Sequence, residues 1–264
     1  VTAAVVNSLP VRAIPAIPQL ARACGAPRLA HCSVRRTTIP IDHTICRGGL
    51  VTTTIERTVI DVAATEPLPD SLITVDAALR GGVDPDALKA LLVGLGHFPG
   101  SVQAKATLLH GDSRAESPME SLSRGHMIER RMPLPQCNVV IRFGDRWVRV
   151  DFLWLELGVV GECDGKVKYT QLDERGDAIW REKRRAEWLE DLGFEIARWG
   201  YPEIADGGAV MQQRFERAAN RQRRYDWTLA DGVAVETPVE DSCRFGQLWT
   251  PKIDTNPPFA AKLR

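Results

Sequence analysis

Three consecutive stretches with strand character mark the second half of the chain. Strands are predicted over residues 139–143 and 147–155, separated by Gly144-Asp145, a dipeptide typical of hairpin turns. Residues 157–163 are almost wholly apolar before their acid, as expected for a strand buried inside a sheet. Short strands this close together predict a sheet that begins as an antiparallel hairpin.

Helical stretches enclose these strands. A helix is predicted over residues 118–131, before the first strand, and a charged amphipathic helix over 178–192, after the third. A fourth strand is predicted over 194–198, and a final helix runs from Pro202 to about residue 224. The order helix–strand–strand–strand–helix–strand–helix therefore predicts a mixed α/β fold for this half.

The first half of the chain has a different pattern. Residues 1–50 are basic and broken by proline and glycine, with the best strand candidate over 37–41. Residues 53–111 contain four short segments with helical periodicity. We therefore expect an N-terminal extended and helical region over 1–113, an α/β core with its C-terminal helix over 114–227, and a flexible tail over 228–264.

Composition excludes several classes of protein. The 264 residues include 34 basic and 34 acidic side chains, so contact with nucleic acid has to come from local patches rather than net charge. No apolar run approaches the roughly 20 residues that a membrane helix needs, so we expect no membrane partner. The six cysteines show no metal-ligand spacing, and scattered thiols of this kind favour a cytoplasmic protein.

Two acids lie on neighbouring predicted strands. Asp151 is part of an alternating strand, and Glu162 ends the next one. If these strands form a hairpin, the two carboxylates lie close together and repel each other, which a bound divalent cation offsets. Carboxylate oxygens suit Mg²⁺ or Mn²⁺, and such a cation with a nearby lysine is the equipment for phosphodiester hydrolysis. Ordinary acids near strand ends are the alternative interpretation.

A third acid, Glu120, lies in the first turn of the helix that precedes the strands. Ser117 stands three residues before it, which is also the spacing of a capping box. The sequence leaves both interpretations open, a structural cap and a functional acid.

Several separated motifs between Ser117 and Glu203 resemble the PD-(D/E)XK nuclease superfamily, and more closely its very-short-patch-repair-like branch. They are Glu120, RVDF at 149–152, VGECDGK at 160–166, EKRR at 182–185 and LGFEIARW at 192–199. The resemblance implies a restriction-endonuclease-like αβββαβ core. It makes Glu120 the helix acid, Asp151 the main metal ligand and Glu162 the second strand acid.

The chain departs from this superfamily at one position. The superfamily has a lysine two residues after the second acid, where this chain has Asp164. The resemblance therefore leaves Lys166 or Lys168 to supply the catalytic cation. We expect Asp164 to join Glu120, Asp151 and Glu162 in the metal site.

An upstream segment, TTIERTVIDVA at residues 53–63, is similar to the T-x-x-R-T-x-x-D segment of AbiEi-type antitoxins from type IV toxin–antitoxin systems. Proteins of that kind usually begin with a winged-helix DNA-binding domain. The sequence shows no complete domain of this kind, so such a domain, if present, would lie before Val1. The alternative is an ordinary capped helix with an internal Arg57–Asp61 pair at four-residue spacing.

Two basic groups are candidates for contact with DNA phosphates. Arg184 and Arg185 belong to the charged helix, and Arg214, Arg217 and Arg221 belong to the last helix. Clustered arginines neutralise a nucleic-acid backbone and make binding depend on salt. A solvated helical face is the alternative for both groups.

These observations lead to two functional hypotheses. The first is a Mg²⁺- or Mn²⁺-dependent endonuclease that hydrolyses phosphodiester bonds in duplex or single-stranded DNA. The second is a non-catalytic DNA-binding antitoxin or transcriptional regulator with a degenerate nuclease core, whose partners are a cognate toxin or its operator.

Overall fold

The computed structural model describes residues 1–23, 31–164, 175–225 and 227–237. The described chain divides into two compact units, the first over residues 1–121 and the second over residues 122–237. Each unit has its own apolar core, and the two are described separately below.

The first unit begins with short extended pieces after a helical turn, α1 (Thr2–Val6). Two small sheets follow: β1 pairs with β2 in parallel, and β3 pairs with β4 in antiparallel. Their bounds are β1 (Gln19–Arg22), β2 (Ser33–Arg36), β3 (Thr44–Arg47) and β4 (Leu50–Thr53).

The strand predicted over residues 37–41 is wrong. Residues 37–40 have no regular structure, and Ile41–His43 form a short 3-10 turn that Pro40 precedes. Proline has no backbone N–H to give to a strand ladder, so the extended segment ends where the sequence pattern suggested that it continued.

Four helices complete the first unit, as the sequence predicted. They are α2 (Ile55–Thr65), α3 (Leu68–Arg80), α4 (Pro85–Gly94) and α5 (Ser101–Leu109). Thr54 caps α2 by accepting a hydrogen bond from the Arg57 N–H, and Asp84 caps α4 in the same way from the Asp86 N–H. Their apolar faces form one buried cluster around Ile60, Leu88 and Leu108.

A mixed sheet forms the second unit, after a helix that the two units share, α6 (Pro118–Glu129). The strands lie in the order β8-β7-β6-β5-β9, with every neighbouring pair antiparallel except β7 and β8. Their bounds are β5 (Gln136–Phe143), β6 (Arg146–Trp154), β7 (Val159–Asp164), β8 (Glu195–Gly200) and β9 (Val233–Glu236).

Helices cover both faces of this sheet. Val160 of β7 belongs to a buried cluster with Trp188, Leu189 and Leu192 of the long helix α7 (Arg175–Asp191) and the residues after it. The neighbouring residue, Gly161, faces the opposite side of the sheet, because successive residues of a strand alternate.

Aromatic side chains fill that opposite side. Phe152 stacks on Trp199 with ring centroids 5.6 Å apart, and Trp154 lies 4.5 Å from Phe215 of α9 (Ala209–Gln222). The Trp199 indole N–H donates to the Ser123 hydroxyl of α6 at 3.0 Å. The sheet therefore lies between α7 on one face and α6 with α9 on the other.

The mixed α/β class and the predicted order of helices and strands from α6 to β8 are confirmed. The hairpin is confirmed as well, because Phe143 pairs with Arg146 across Gly144-Asp145. None of the helices in the described part of the chain has the length and apolar character that crossing a membrane requires.

The predicted single last helix is two helices. The first, α8, covers Tyr201–Ala205, and α9 begins only at Ala209. Gly207 and Gly208 lie between them with φ of 86° and 75°, in the left-handed region that a continuing helix does not use. A pair of adjacent glycines is the sequence signal for this break.

The C-terminal tail predicted over residues 228–264 also differs from the structure in part. Val233–Glu236 form β9, which pairs with β5 and adds a fifth strand to the sheet. Residues 238–264 lie outside the described part of the chain. The sequence did not predict this strand because it has only four residues. Two of them, Val233 and Val235, face the core, and two alternating positions are too few for a periodic signal.

Candidate functional site

Asp151 and Glu162 lie on adjacent antiparallel strands. Phe152 pairs with Gly161, so the same register continued by one residue puts Asp151 opposite Glu162. Residues opposite each other in an antiparallel pair share a face of the sheet. One carboxylate oxygen of Asp151 accepts a hydrogen bond from the Cys163 backbone N–H at 2.7 Å, which fixes it beside β7. The structure therefore brings together the two strand acids that the sequence singled out.

Arg185 of α7 contacts Glu162 directly. Its Nη2 lies 2.7 Å from Oε1 and its Nη1 lies 3.0 Å from Oε2, so the guanidinium grips both carboxylate oxygens. The Glu162 side chain is only 6% exposed, and that of Arg185 is 23% exposed. Nη2 of Arg185 also donates to the Arg149 carbonyl at 2.6 Å, which ties the arginine to β6.

Burial dominates the ionisation of Glu162. Loss of solvent raises the pKa of this carboxyl to about 7, from an ordinary value of 4.5, and the nearby charge of Asp151 acts in the same direction. The positive charge of Arg185 opposes this shift but does not cancel it. Glu162 therefore holds a proton at pH values where an exposed glutamate has lost its own.

Glu120 has the capping role that its sequence position allowed. Its Oε1 accepts from the Ser117 hydroxyl at 2.6 Å, and its backbone N–H donates to the same hydroxyl at 3.2 Å. Its Oε2 accepts from the Glu116 backbone N–H at 2.8 Å. These are the reciprocal bonds of a helix start, so both oxygens of this buried carboxylate already have protein donors.

The remaining residues of the predicted site are only partly described. Asp164 is exposed at the last position of β7, where it pairs with Gly200 of β8. Lys166 and Lys168 lie outside the described residues, and their assignment as the catalytic cation stays a prediction.

The donor chemistry of the acid pair suits a hard divalent cation, since Asp151 and Glu162 offer carboxylate oxygens on one face. Among the residues that the structure describes, no three His, Cys, Asp or Glu side chains come together as a metal-ligand set. Arg185 supplies the positive charge on Glu162 in this arrangement. Within the described residues the site therefore consists of two acids, one of which is held by Arg185.

The five arginines predicted to bind DNA differ in their surroundings. Three of them pair with acids: Arg185 with Glu162, Arg214 with Glu203 at 2.8 Å, and Arg221 with Glu195 at 2.7 Å. Arg184 and Arg217 are exposed, and within the described ranges neither has an acidic partner.

Several of these arginines line a shallow concavity between α7, β8 and α9. Its rim includes Arg198, Arg214, Arg217 and Arg221, together with Glu190. Arg198 was not among the sequence candidates, and it pairs with Glu182 at 2.6 Å. Acidic partners therefore neutralise three of these four arginines. Arg217 is the arginine of this surface that is most accessible to a ligand.

Sequence reasoning missed the role of Arg185, although a signal for it exists. Arg185 precedes Trp188, Leu189 and Leu192 by three, four and seven residues, so it lies on the same stripe of α7 as the buried apolar side chains. Arg184, one residue earlier, faces solvent. An arginine on a buried stripe next to a strand acid indicates an internal ion pair.

The antitoxin-like segment has a structural role in the first unit. Arg57 pairs with Asp61 at 3.1 Å, as the four-residue spacing predicted, and its side chain also contacts Nδ1 of His43 at 3.2 Å. The Thr58 hydroxyl bonds to the Thr53 hydroxyl at 2.6 Å and accepts from the Asn7 amide at 3.0 Å. The segment thus ties α2 to β4 and to the start of the chain.

Comparison with known proteins identifies two relatives in Mycobacterium tuberculosis. They are the uncharacterized protein Rv2248 of strain H37Rv and the uncharacterized protein MT2308 of strain CDC 1551, each 30% identical over 180 residues. The match covers 67% of this chain and 64% of each relative, so it spans just under two thirds of the relatives' length. No family model matches the chain, and no solved structure matches it.

Proposed function

We propose that the second unit is a metal-dependent, endonuclease-like module that acts on DNA. The observation that carries this proposal is the acid pair: Asp151 and Glu162 adjoin the paired residues Phe152 and Gly161 of β6 and β7, close enough to interact electrostatically, and Glu162 is buried. Two acids held together at the cost of repulsion and desolvation are typical of functional sites rather than of ordinary strand ends.

The topology of the second unit supports the same proposal. One helix, three antiparallel strands, a second helix and a strand parallel to the third follow in the order α6-β5-β6-β7-α7-β8. This is the αβββαβ order that the resemblance to PD-(D/E)XK nucleases implies. The acids also fall on the second and third strands, as that resemblance requires.

Each residue of the pair has a defined part in the proposed chemistry. Asp151 and Glu162 bind the cation, and the Cys163 N–H orients Asp151 for that purpose. Bound Mg²⁺ or Mn²⁺ supplies the charge that stabilises a phosphodiester transition state and acidifies an attacking water. Arg184 and Arg217, both exposed, attract the DNA backbone.

A cleavage assay tests this proposal. The full chain is incubated with supercoiled plasmid or single-stranded DNA in Mg²⁺ or Mn²⁺, beside Asp151→Asn and the control Glu156→Gln, an exposed carboxylate in the β6–β7 connection. Loss of a metal ligand is expected to slow cleavage by at least about a hundredfold. The control keeps the wild-type rate. Equal rates for wild type and Asp151→Asn would remove the assignment.

A binding assay tests the DNA contact separately. Arg217→Ala is expected to weaken retention of a labelled duplex and to lower the slope of log K against log salt by about 1, the contribution of one phosphate contact. Gln213→Ala, an exposed neutral position on the same helix, serves as the control. An unchanged slope in Arg217→Ala would place the DNA contact elsewhere.

A second candidate function is a non-cleaving DNA-binding regulator of the antitoxin kind. Two observations favour it: Arg185 grips both oxygens of Glu162, and Asp164 stands where the nuclease pattern has its lysine. In this alternative the ion pair replaces the metal, and the core has only a structural role.

The same two assays separate the candidates. The regulator binds DNA in a salt-dependent manner, cleaves nothing with any divalent metal, and binds equally well as Asp151→Asn. Retention of the DNA upstream of its own gene would support it, whereas metal-dependent cleavage that is lost in Asp151→Asn excludes it.

A further inference from the structure

The contacts of Arg185 hold its guanidinium over the acid pair. Besides both oxygens of Glu162, the guanidinium contacts the Arg149 carbonyl at 2.6 Å and Oε1 of Glu182 at 3.5 Å. Glu182 belongs to the same helix, one turn earlier, and itself pairs with Arg198. Arg185 therefore bridges α7 to both strands that carry the acids.

The charges of this cluster explain why the arginine lies there. Glu162 and Asp151 together bring two carboxyl groups to one face of the sheet, and burial makes it costly for both to be ionised at once. The bidentate contact of Arg185 gives both oxygens of Glu162 a hydrogen-bond donor, which the single ammonium group of a lysine would not do in the same geometry. In the protein alone, Arg185 thus takes the position of a cation on the acid pair.

We propose that Arg185 is a gate on this site: it occupies the acid pair in the free protein, competes there with a divalent metal, and is drawn away by a DNA phosphate. This inference rests on the proposed function, because it assigns to Asp151 and Glu162 a metal that Arg185 excludes. Metal binding is then weak without DNA and stronger with it.

Phosphate is a suitable competitor for Arg185. Its oxygens match the planar fork of a guanidinium as well as a carboxylate does. The arginine retains a partly exposed side chain, and its neighbours Lys183 and Arg184 are exposed on the same helix, where they attract a polyanion. A phosphate that reaches this helix therefore offers Arg185 an alternative partner. When Arg185 moves from Glu162 to the phosphate, the Glu162 carboxylate becomes available to the metal.

Calorimetric titration of the full chain with MnCl₂ tests the gate without relying on catalysis. Arg185→Ala is expected to bind Mn²⁺ at least about tenfold more tightly than wild type, measured at a pH where Glu162 is ionised, because the guanidinium no longer occupies both oxygens of Glu162 or repels the cation. Arg224→Ala, which removes the charge of an exposed arginine just after α9, is the control and keeps the wild-type affinity. The double variant Arg185→Ala/Asp151→Asn loses the gained affinity if Mn²⁺ binds at the acid pair.

A second variant protects the test against a folding defect. Arg185→Lys keeps the positive charge but loses the fork, so it is expected to bind Mn²⁺ with an affinity between those of wild type and Arg185→Ala. A short phosphorothioate duplex is expected to raise the Mn²⁺ affinity of wild type but not that of Arg185→Ala, in which the site is already open.

The outcomes distinguish failure of the gate from failure of the proposed function. Equal Mn²⁺ affinity in wild type, Arg185→Lys and Arg185→Ala, all dependent on Asp151, overturns the gate and leaves the metal site. Absence of Mn²⁺ binding in every variant, with and without the duplex, overturns both the metal site and the gate. Tighter binding in Arg185→Ala that needs Asp151 supports both.

Discussion

Glu162 lies close to Asp151 where the paired part of β6 and β7 ends at Phe152 and Gly161, and its carboxyl group is buried where a charge on Asp151 disfavours its ionisation. Among the described residues, the guanidinium of Arg185 opposes this cost at short range, at 2.7 and 3.0 Å. Neither strand pairing nor the apolar core explains such an arrangement. An uncharged residue at position 162 could pack there without the free-energy cost of removing a charge from water. The ionisation of Glu162 is therefore the property of this site that is most open to measurement.

The stability of the protein is expected to fall as the pH rises from 4.5 towards 7 because of Glu162. Its pKa is about 7 in the folded chain against an ordinary 4.5, so between these pH values the unfolded chain has lost this proton while the folded chain still holds it. A rise in pH over this range therefore favours the unfolded chain. Urea unfolding across this range measures the effect. The measured quantity is the difference in free energy of unfolding between wild type and a variant. For Glu162→Gln this difference should decrease as the pH rises, and for the control Glu156→Gln it should not change with pH. A flat difference for Glu162→Gln would contradict the raised pKa.

Thr54→Ala is expected to lower the free energy of unfolding by about 1 kcal/mol, since Thr54 caps α2 with the Arg57 N–H. Thr65→Ala, at the other end of the same helix, is the control. The Thr65 hydroxyl donates to the carbonyl of Asp61 and is exposed, so we expect a change within about 0.5 kcal/mol. Equal effects in chemical unfolding would show that the antitoxin-like segment does not depend on its cap.

The sequence predicted the acid pair because its determinants are local. Alternation along Val148–Phe152, a short connection through Glu156-Leu157-Gly158 and the apolar strand that ends at Glu162 bring Asp151 and Glu162 together. The helix caps at Thr54 and Asp84 were predictable for the same reason, since a cap involves residues two or three positions apart.

The ion pair of Arg185 with Glu162 was not predicted because it joins residues 23 positions apart on different elements. In the sequence, Arg185 is one of several cations in a charged run, and only the buried stripe of α7 distinguishes it from Arg184. Tertiary packing decides which cation of such a run faces inward. The partners of Arg214 and Arg221 were missed for the same reason.

Gly161→Ala is expected to destabilise the second unit by about 1–3 kcal/mol, because the added methyl group overpacks the sheet. A Cβ at this position would lie 2.7 Å from the Trp199 ring and 2.9 Å from the Trp154 ring. Gly94→Ala in α4 is the matched control, since its Cβ meets nothing within 4 Å and its stability should change by less than about 1 kcal/mol. Thermal unfolding of both variants measures the difference.

Val235→Ala is expected to destabilise the protein by about 1 kcal/mol, since it removes apolar contact between β9 and the core that α7 covers. Val235 pairs with Ile141 of β5 and is half-buried, whereas its neighbour Ala234 is exposed. Ala234→Ser is therefore the control, with an expected change within about 0.5 kcal/mol. Chemical unfolding compares the two variants. If residues 233–236 behaved as the tail that the sequence predicted, Val235→Ala would match its control, and the sheet would end at β5.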